Sequence, residues 1–468
     1  MCRKEILIKL TILIITGISI LIFGWDSILS SKILASDRND NTLRKGPYLV
    51  YQGKNTEMKV LWQLYRKSEC QLKWGIDPSH LSQRAKTTEY GNDHQHAYTL
   101  KNLKPGKKYD YKVIVNGKSH YGSFYAAPDE SAKKLKFMAY GDSRSDPEIH
   151  NRVAGGIVST YTVNKDFQTF IISSGDLVKF GAEESEWDEQ LFDPVWQMKQ
   201  KMLANLPFQS CVGNHELYYN DYEKFDYSLR LFKKYFPYSY VKHAYWSFDY
   251  GPVHFVMVDQ YYYQEILKSL DEIKTIYEML KRDAEKLEKK LRELDKSDEK
   301  NTTKYRKKAD MALAKAEKAR QDMERLEKQF QKSINIQLLW IEKDLASSKK
   351  RWKFLVYHEP GWSAGGSYAH PNNTMVQRYL QPLMERYHVS MAFAGHNHYY
   401  ARALVNGVHH ITTGGGGAPL YSPGKNFPNV ITSSKANHFC KVEIVDNMLK
   451  FSAVKPDGTE IDTFTINK

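Results

Sequence analysis

The sequence predicts an α/β fold that is preceded by a small all-β sandwich and carries a helical hairpin as an insertion. Three observations lead to this. Short alternating strands are confined to residues 46–128. After Ala132 the texture changes to apolar strands that each run into a polar loop. Inside that α/β region, residues 263–333 carry apolar residues at alternating spacings of four and three with charges between them, the pattern of a coiled coil.

With 468 residues the chain has room for two or three domains and at least one large core. Charged residues at 26% and aromatics at 13% describe a globular protein and exclude a disordered one. The net charge of +14 favours an anionic partner, but no long basic block concentrates it, so nucleic acid is expected only as a substrate. Of the cysteines Cys2, Cys70, Cys211 and Cys440, the first lies in a targeting segment; the odd remainder permits one disulfide at most and no framework.

Residues 1–40 read as a signal peptide or membrane anchor. Arg3 and Lys4 precede an uncharged run from Leu10 to Phe23, which is shorter than the span of about 20 residues that crosses a bilayer. The weak small-residue pattern around Ala35 leaves an uncleaved tether open. The expected location is secreted, periplasmic or cell envelope.

Residues 42–128 are assigned to the all-β domain. Met58 to Leu64, Tyr109 to Val115 and Tyr121 to Tyr125 alternate apolar with polar residues, and Lys104-Pro105-Gly106 and Asn116-Gly117 supply turns. Residues 134–468 form the second domain. Residues 135–140 lead into Gly141-Asp142-Ser143-Arg144, residues 167–174 into Gly175-Asp176, and residues 206–212 into Gly213-Asn214-His215-Glu216. One such turn is unremarkable; three at strand ends point to a common site. A hairpin around Gly251-Pro252 follows, and then the insertion. Its polar break at residues 298–303 predicts two antiparallel arms, each about 45 Å long, with Leu287 and Leu291 facing Ala312 and Ala309, and Ala284 facing Ala316. A separate helix is expected over residues 337–347, then a strand ending at His358, a strand ending in Gly395-His396-Asn397-His398, and a terminal β region over residues 439–466. The run Gly414 to Gly417 is not followed by a helix start, so it reads as a tight turn or bulge and not as a phosphate cradle.

The strand ends thus present Asp142, Asp176, Asn214, His358, His396 and His398. Imidazole, carboxylate and amide donors suit borderline divalent or trivalent cations. This order resembles the calcineurin-like metallophosphoesterases. Taken with Gly46 to Leu49, Trp62, the turn from Leu103 to Tyr109 and the segment from Gly414 to Tyr421, it is most similar to their purple-acid-phosphatase-like branch with an N-terminal fibronectin-III-like domain. The resemblance implies a four-layer β-sandwich flanked by helices and two metal ions, Fe, Zn or Mn. Asp176 would bridge them, Asp142 and His398 would complete one, and Asn214, His358 and His396 the other. It also implies His215 as general acid or electrostatic stabiliser, and Ser143 and His370 as substrate-side groups.

Two departures from the branch stand out. Lys179 occupies the position of the tyrosine that colours true purple acid phosphatases, so no chromophore is expected. Arg144 would clamp a substrate phosphate, or else pair with Asp146 or Glu216. The implied function is an exported hydrolase in which hydroxide held between two metals attacks phosphorus, with phosphomonoesters favoured. The alternatives are a phosphodiesterase or nucleotide hydrolase, and a non-catalytic envelope protein that interacts through its sandwich and coiled coil. Expected partners are a phosphorylated small molecule or phosphoprotein, a protein on the helical hairpin, and a membrane tethered through the N-terminus.

Overall fold

The computed structural model describes residues 43–468 apart from 88, 91, 222 and 295–297, so the signal peptide or anchor expected over residues 1–40 lies outside it. No helix among the described residues is long and apolar enough to cross a membrane.

The first eight strands pair as two four-stranded sheets. One holds Leu43–Val50, Met58–Leu64, Gln95–Leu100 and Glu89–Tyr90; the other holds Gln83–Thr87, Cys70–Gly75, Lys108–Val115 and Lys118–Tyr125. Alternation along Lys108–Val115 buries every second side chain, and Trp62, Leu72, Val113 and Phe124 fill the interior. The Pro105-Gly106 turn is pinned by the Tyr109 hydroxyl, which accepts the Lys104 N–H at 2.9 Å. This domain rests on the next through Tyr48 against Phe192 at 4.9 Å, the Tyr111 hydroxyl donating to the Ala204 carbonyl at 2.8 Å, and the pairs Arg44–Asp188 and Lys45–Glu184.

The second domain is built on two larger sheets. The six-stranded one runs in the order Phe208–Ser210, Ile171–Ser173, Lys134–Tyr140, Phe439–Val445, Met448–Val454, Glu460–Asn467. The seven-stranded one runs Trp246–Tyr250, Val253–Met257, Trp352–Val356, Met391–Ala394, Val408–Thr413, Tyr400–Val405, Val430–Ser434. Their inner faces meet through aromatic edges: the Phe137 ring lies 5.3 Å from Phe255, 5.6 Å from Phe354 and 6.2 Å from Phe393. The alternate residues Val256, Leu355 and Ala392 point outward and pack under Ile341, Leu345, Val376 and Met384, while the helix Pro147–Val163 covers the other sheet, its His150 bonded to the Tyr140 hydroxyl at 2.8 Å. The result is four layers, helix on sheet on sheet on helix.

Two of the expected strands are shorter than the sequence suggested. Residues 165–167 form a 3₁₀ turn, and pairing is confined to Ile171–Ser173; likewise only Phe208–Ser210 pairs of residues 206–212. The residues next to these short ladders still exchange single backbone hydrogen bonds with the neighbouring strands, such as Ser174 N–H to the Tyr140 carbonyl and Cys211 N–H to the Ser173 carbonyl.

The insertion folds as two antiparallel helices, Gln264–Glu293 and Glu299–Ser347. Its register differs from the expected one. Tyr263 meets Phe330 at 5.3 Å and the Lys290 ammonium lies over Tyr305 at 5.1 Å, so the pairing is moved toward the tip by about one turn or more. The cause is Asp298, whose side chain accepts the Asn301 N–H and starts the second helix at Glu299, before the polar break ends. Ala284, Ala309, Ala316 and Ala319 are buried as small contact residues. The separate helix expected over residues 337–347 is a correction too: it is the end of the same 49-residue helix, because nothing between Ser333 and Gln337 breaks it.

Candidate metal centre

Parallel pairing aligns the strand ends. Tyr140, Ser173 and Ser210 lie side by side in one sheet, and Val356 and Phe393 in the other, so the loops that follow all emerge at one rim. Every metal ligand expected from the sequence is on these loops. His358 Nε2 lies 3.0 Å from Asn214 Oδ1, 3.2 Å from His396 Nδ1 and 3.3 Å from Asp176 Oδ1. His396 Nδ1 lies 3.1 Å from Asn214 Oδ1. Across the shared Asp176, His398 Nε2 is 3.6 Å from Asp142 Oδ1. Asp142, Asp176, His358 and His398 are all buried.

The donor set fits a pair of cations. Ligand atoms about 2.1 Å from one ion sit roughly 3.0–3.4 Å from one another, the separation found among Asn214, His358, His396 and Asp176, with the His398–Asp142 pair slightly wider at 3.6 Å. Three imidazoles are also oriented from behind. His358 Nδ1 is 2.7 Å from the Ser174 carbonyl, His398 Nδ1 2.8 Å from the Pro419 carbonyl and His215 Nδ1 2.6 Å from the Lys179 carbonyl, which turns each Nε2 toward the site. The backbone N–H of His396 donates to both oxygens of Asp142, and that of His215 to Asp176 Oδ1 at 3.0 Å.

Electrostatics without metal reflect the crowding of charge. Burial pushes the Asp142 carboxyl up to about 7. Burial would also raise Asp176, but His358, His215 and Arg144 outweigh it and hold this carboxylate well below its usual range. Against its own burial, the Asp176 charge lifts His358 to about 10. Burial drops His398 to about 3 and His215 to about 4. The negative charge that would bind metal is therefore already present on Asp176.

The remaining expected site residues divide. His215 presents Nε2 toward Asp176 Oδ2 at 4.0 Å, next to the ligands. His370 stands on the rim with its ring 4.0 Å from that of His396. Ser143 is buried and donates to the Leu177 carbonyl at 3.3 Å, so it faces away from substrate. Arg144 is bonded to neither Asp146 nor Glu216: its Nε donates to Asp176 Oδ2 at 3.2 Å, Nη1 to Ser145 Oγ at 3.0 Å, and Nη2 lies 3.3 Å from His398 Nε2. The Lys179 ammonium lies over the Phe180 ring, and only the Lys179 backbone serves the site.

Sequence reasoning did not single out three supports. The buried Glu216 carboxylate accepts the N–H groups of Asp176, Leu177 and Gly213 at 2.9, 2.7 and 2.7 Å, tying two ligand loops together. Its position directly after Asn214-His215 was the available signal. Gln260 Oε1 accepts the His358 N–H at 2.9 Å, for which the sequence carries no signal. The glycine run packs backbone to backbone on the Asp142 loop: Gly416 N–H and Ala418 N–H donate to the Gly141 and Asp142 carbonyls, and a methyl group on Gly414, Gly416 or Gly417 would overlap the backbone oxygen of Asn397, Gly141 or Ser143.

Carboxylates, imidazoles and an amide gathered at the strand ends of two facing sheets define a dinuclear metal hydrolase architecture. Residues 149–400 match the calcineurin-like phosphoesterases and residues 45–126 the purple acid phosphatase N-terminal domain. The chain belongs to the calcineurin-like phosphoesterase family, a family of metal-dependent phosphoester hydrolases. A 160-residue stretch is 32% identical to "Probable inactive purple acid phosphatase 1" of Arabidopsis thaliana, spanning 28% of this chain and only 26% of that protein. Among solved structures, the purple acid phosphatase PPD1 of yellow lupin (Lupinus luteus) superposes with a TM-score of 0.60 at 19% identity, over 90% of this chain and 74% of its own. PhoD superposes with 0.56 at 10% identity, over 91% and 90%. These two share the fold.

Proposed function

We propose that this chain is an exported phosphomonoesterase that works with two metal ions, Fe, Zn or Mn, held by Asp142, Asp176, Asn214, His358, His396 and His398. The observation that carries the reading is the convergence of Asn214 Oδ1, His358 Nε2 and His396 Nδ1 within 3.0–3.2 Å of one another beside the shared carboxylate of Asp176. The bound ions would supply Lewis-acid polarisation of the phosphoryl group and lower the pKa of a water. The chain supplies the rest. His215, fixed by the Lys179 carbonyl, is placed to contact a phosphoryl oxygen or the leaving group through Nε2. His370, on the rim against His396, borders the route of the ester group into the site. Lys179 offers no phenolate, so the loaded protein is expected to lack the purple colour of a tyrosinate–iron(III) site.

The test is to purify the protein, measure bound metal, and assay p-nitrophenyl phosphate against bis-p-nitrophenyl phosphate with and without chelator. Chelator-sensitive hydrolysis that favours the monoester supports the proposal. Preference for the diester moves the assignment to a phosphodiesterase. Metal-loaded protein without hydrolysis would align this chain with the Arabidopsis relative, whose name describes it as inactive.

A further inference from the structure

We infer that the Arg144 guanidinium is a resident cation of one half of the metal centre, holding Asp176 and His398 in the metal-free protein, and that the ion binding at Asp142 and His398 must displace it. This rests on the dinuclear reading above and goes beyond it by assigning Arg144 a role in metal loading in place of a substrate clamp.

The geometry excludes joint occupancy. The His398 ring is fixed by its Nδ1 contact with the Pro419 carbonyl, which leaves Nε2 with a single lone pair. Arg144 Nη2 lies 3.3 Å from that nitrogen and has only N–H groups to offer it. The same side chain donates from Nε to Asp176 Oδ2 at 3.2 Å, the carboxylate oxygen on the side away from His358. A metal on His398 Nε2 needs the lone pair that Arg144 now uses, while the bond to Asp176 Oδ2 holds the guanidinium in that place. Arg144 cannot give way by losing a proton, since a guanidinium stays charged, so it has to move. The side chain is only 12% exposed, and Ser145 Oγ holds its third nitrogen, so this is a built position and not a surface residue lying across the pocket. Among the described residues the other half-site has no such cation: Asn214 Oδ1 and His396 Nδ1 there meet one another and His358.

The consequence is a metal affinity that Arg144 lowers at one half-site only. Asn214→Ala removes one ligand of the other half-site and weakens it, so that the two half-sites separate in the titration and the Arg144 side is read against an unchanged background. Metal-stripped full-length N214A and R144A/N214A would be titrated with Zn²⁺ and Mn²⁺ by calorimetry, with stoichiometry from elemental analysis. R144Q/N214A is run in parallel as an uncharged variant closer in length. Both double variants are expected to bind the ion on the Arg144 side tighter on the order of tenfold or more, the loss of one charge-assisted hydrogen bond expressed as affinity. Circular dichroism confirms that each is folded, and in the absence of metal the double variants are expected to melt below N214A. An affinity unchanged within about twofold, or weakened, in either folded double variant overturns the inference while leaving the dinuclear reading intact. If neither N214A nor its double variants bind any ion at this half-site, both fall.

Discussion

The long helix of the insertion reaches the sheet that carries His358 through an ion triad centred on the buried His254, and its pH dependence can be worked out. His254 on the strand Val253–Met257 lies between Asp249, 2.7 Å from Nδ1, and Asp344 near the end of the helix, 2.9 Å from Nε2. Burial opposes charge on this ring, but hydrogen bonds to Asp249 and Asp344 outweigh it and lift the imidazole to about 9. A tenfold change in proton affinity is worth about 1.36 kcal/mol, so the rise from 6.5 to about 9 corresponds to about 3 kcal/mol of folding free energy; with Asp249 41% exposed to screening solvent, about 2–3 kcal/mol is the working figure. The folded-state value is the raised one. The stabilisation is therefore complete below pH 6.5 and is lost as pH rises through about 9. His254→Gln removes the titrating charge and keeps one amide donor. Urea unfolding of wild type and H254Q across pH 6 to 10, followed by tryptophan fluorescence, is expected to show the variant less stable by about 2–3 kcal/mol at pH 6, with the gap closing toward pH 10. A gap that stays flat across that range would refute the charged-triad account and leave only a packing defect.

Two further outcomes are expected. Glu216→Ala strands the buried N–H groups of Asp176, Leu177 and Gly213 and should cost about 2–5 kcal/mol in unfolding experiments, with a metal affinity at least tenfold weaker by calorimetry; a loss under about 1 kcal/mol would mean that water replaces the carboxylate. Replacing residues 270–324 with a short Gly/Ser turn keeps the Tyr263–Phe330 contact and the buried Ile334, Gln337, Ile341 and Leu345, so the protein should fold and keep kcat/KM for p-nitrophenyl phosphate within about twofold; a tenfold fall would show that the arm reaches the substrate and acts as a lid.

What was legible in the sequence followed from chemistry that depends on residue type and local order. A strand that stops at glycine and continues with a carboxylate, amide or imidazole announces a ligand loop, and five of the six candidates were read that way, while His358 follows its strand without a glycine. The heptads of the insertion were equally visible, because spacing alone determines which helix face is apolar. The register was not visible: it depended on whether Asp298 or a later residue caps the second helix, and the sequence offered several polar candidates. Arg144 was misread for a similar reason. Its neighbours in the chain suggested Asp146 or Glu216 as partners, whereas its actual partners Asp176 and His398 come from distant loops that only the facing of the two sheets brings within reach. Gln260 is silent in sequence because an amide on a loop has no preferred partner until the fold supplies one.

The backbone at the ligands takes this one step further. Asp142, Asp176 and His396 all adopt left-handed conformations, with φ of 55°, 55° and 66°. Each costs about 1 kcal/mol for a residue with a side chain, so the site stores roughly 3 kcal/mol of strain before any ion is present. That strain is sustained by neighbours that satisfy the turned peptides: Asp142 N–H donates to the Gly175 carbonyl, and His396 N–H to the Asp142 carboxylate. The left-handed conformations, with hydrogen bonds behind Asp142 and His396 and ring contacts behind His358 and His398, aim the donor atoms at common points. The ligand geometry is thus a property of the folded chain. Ion binding at Asp142 and His398 then has to displace the guanidinium of Arg144.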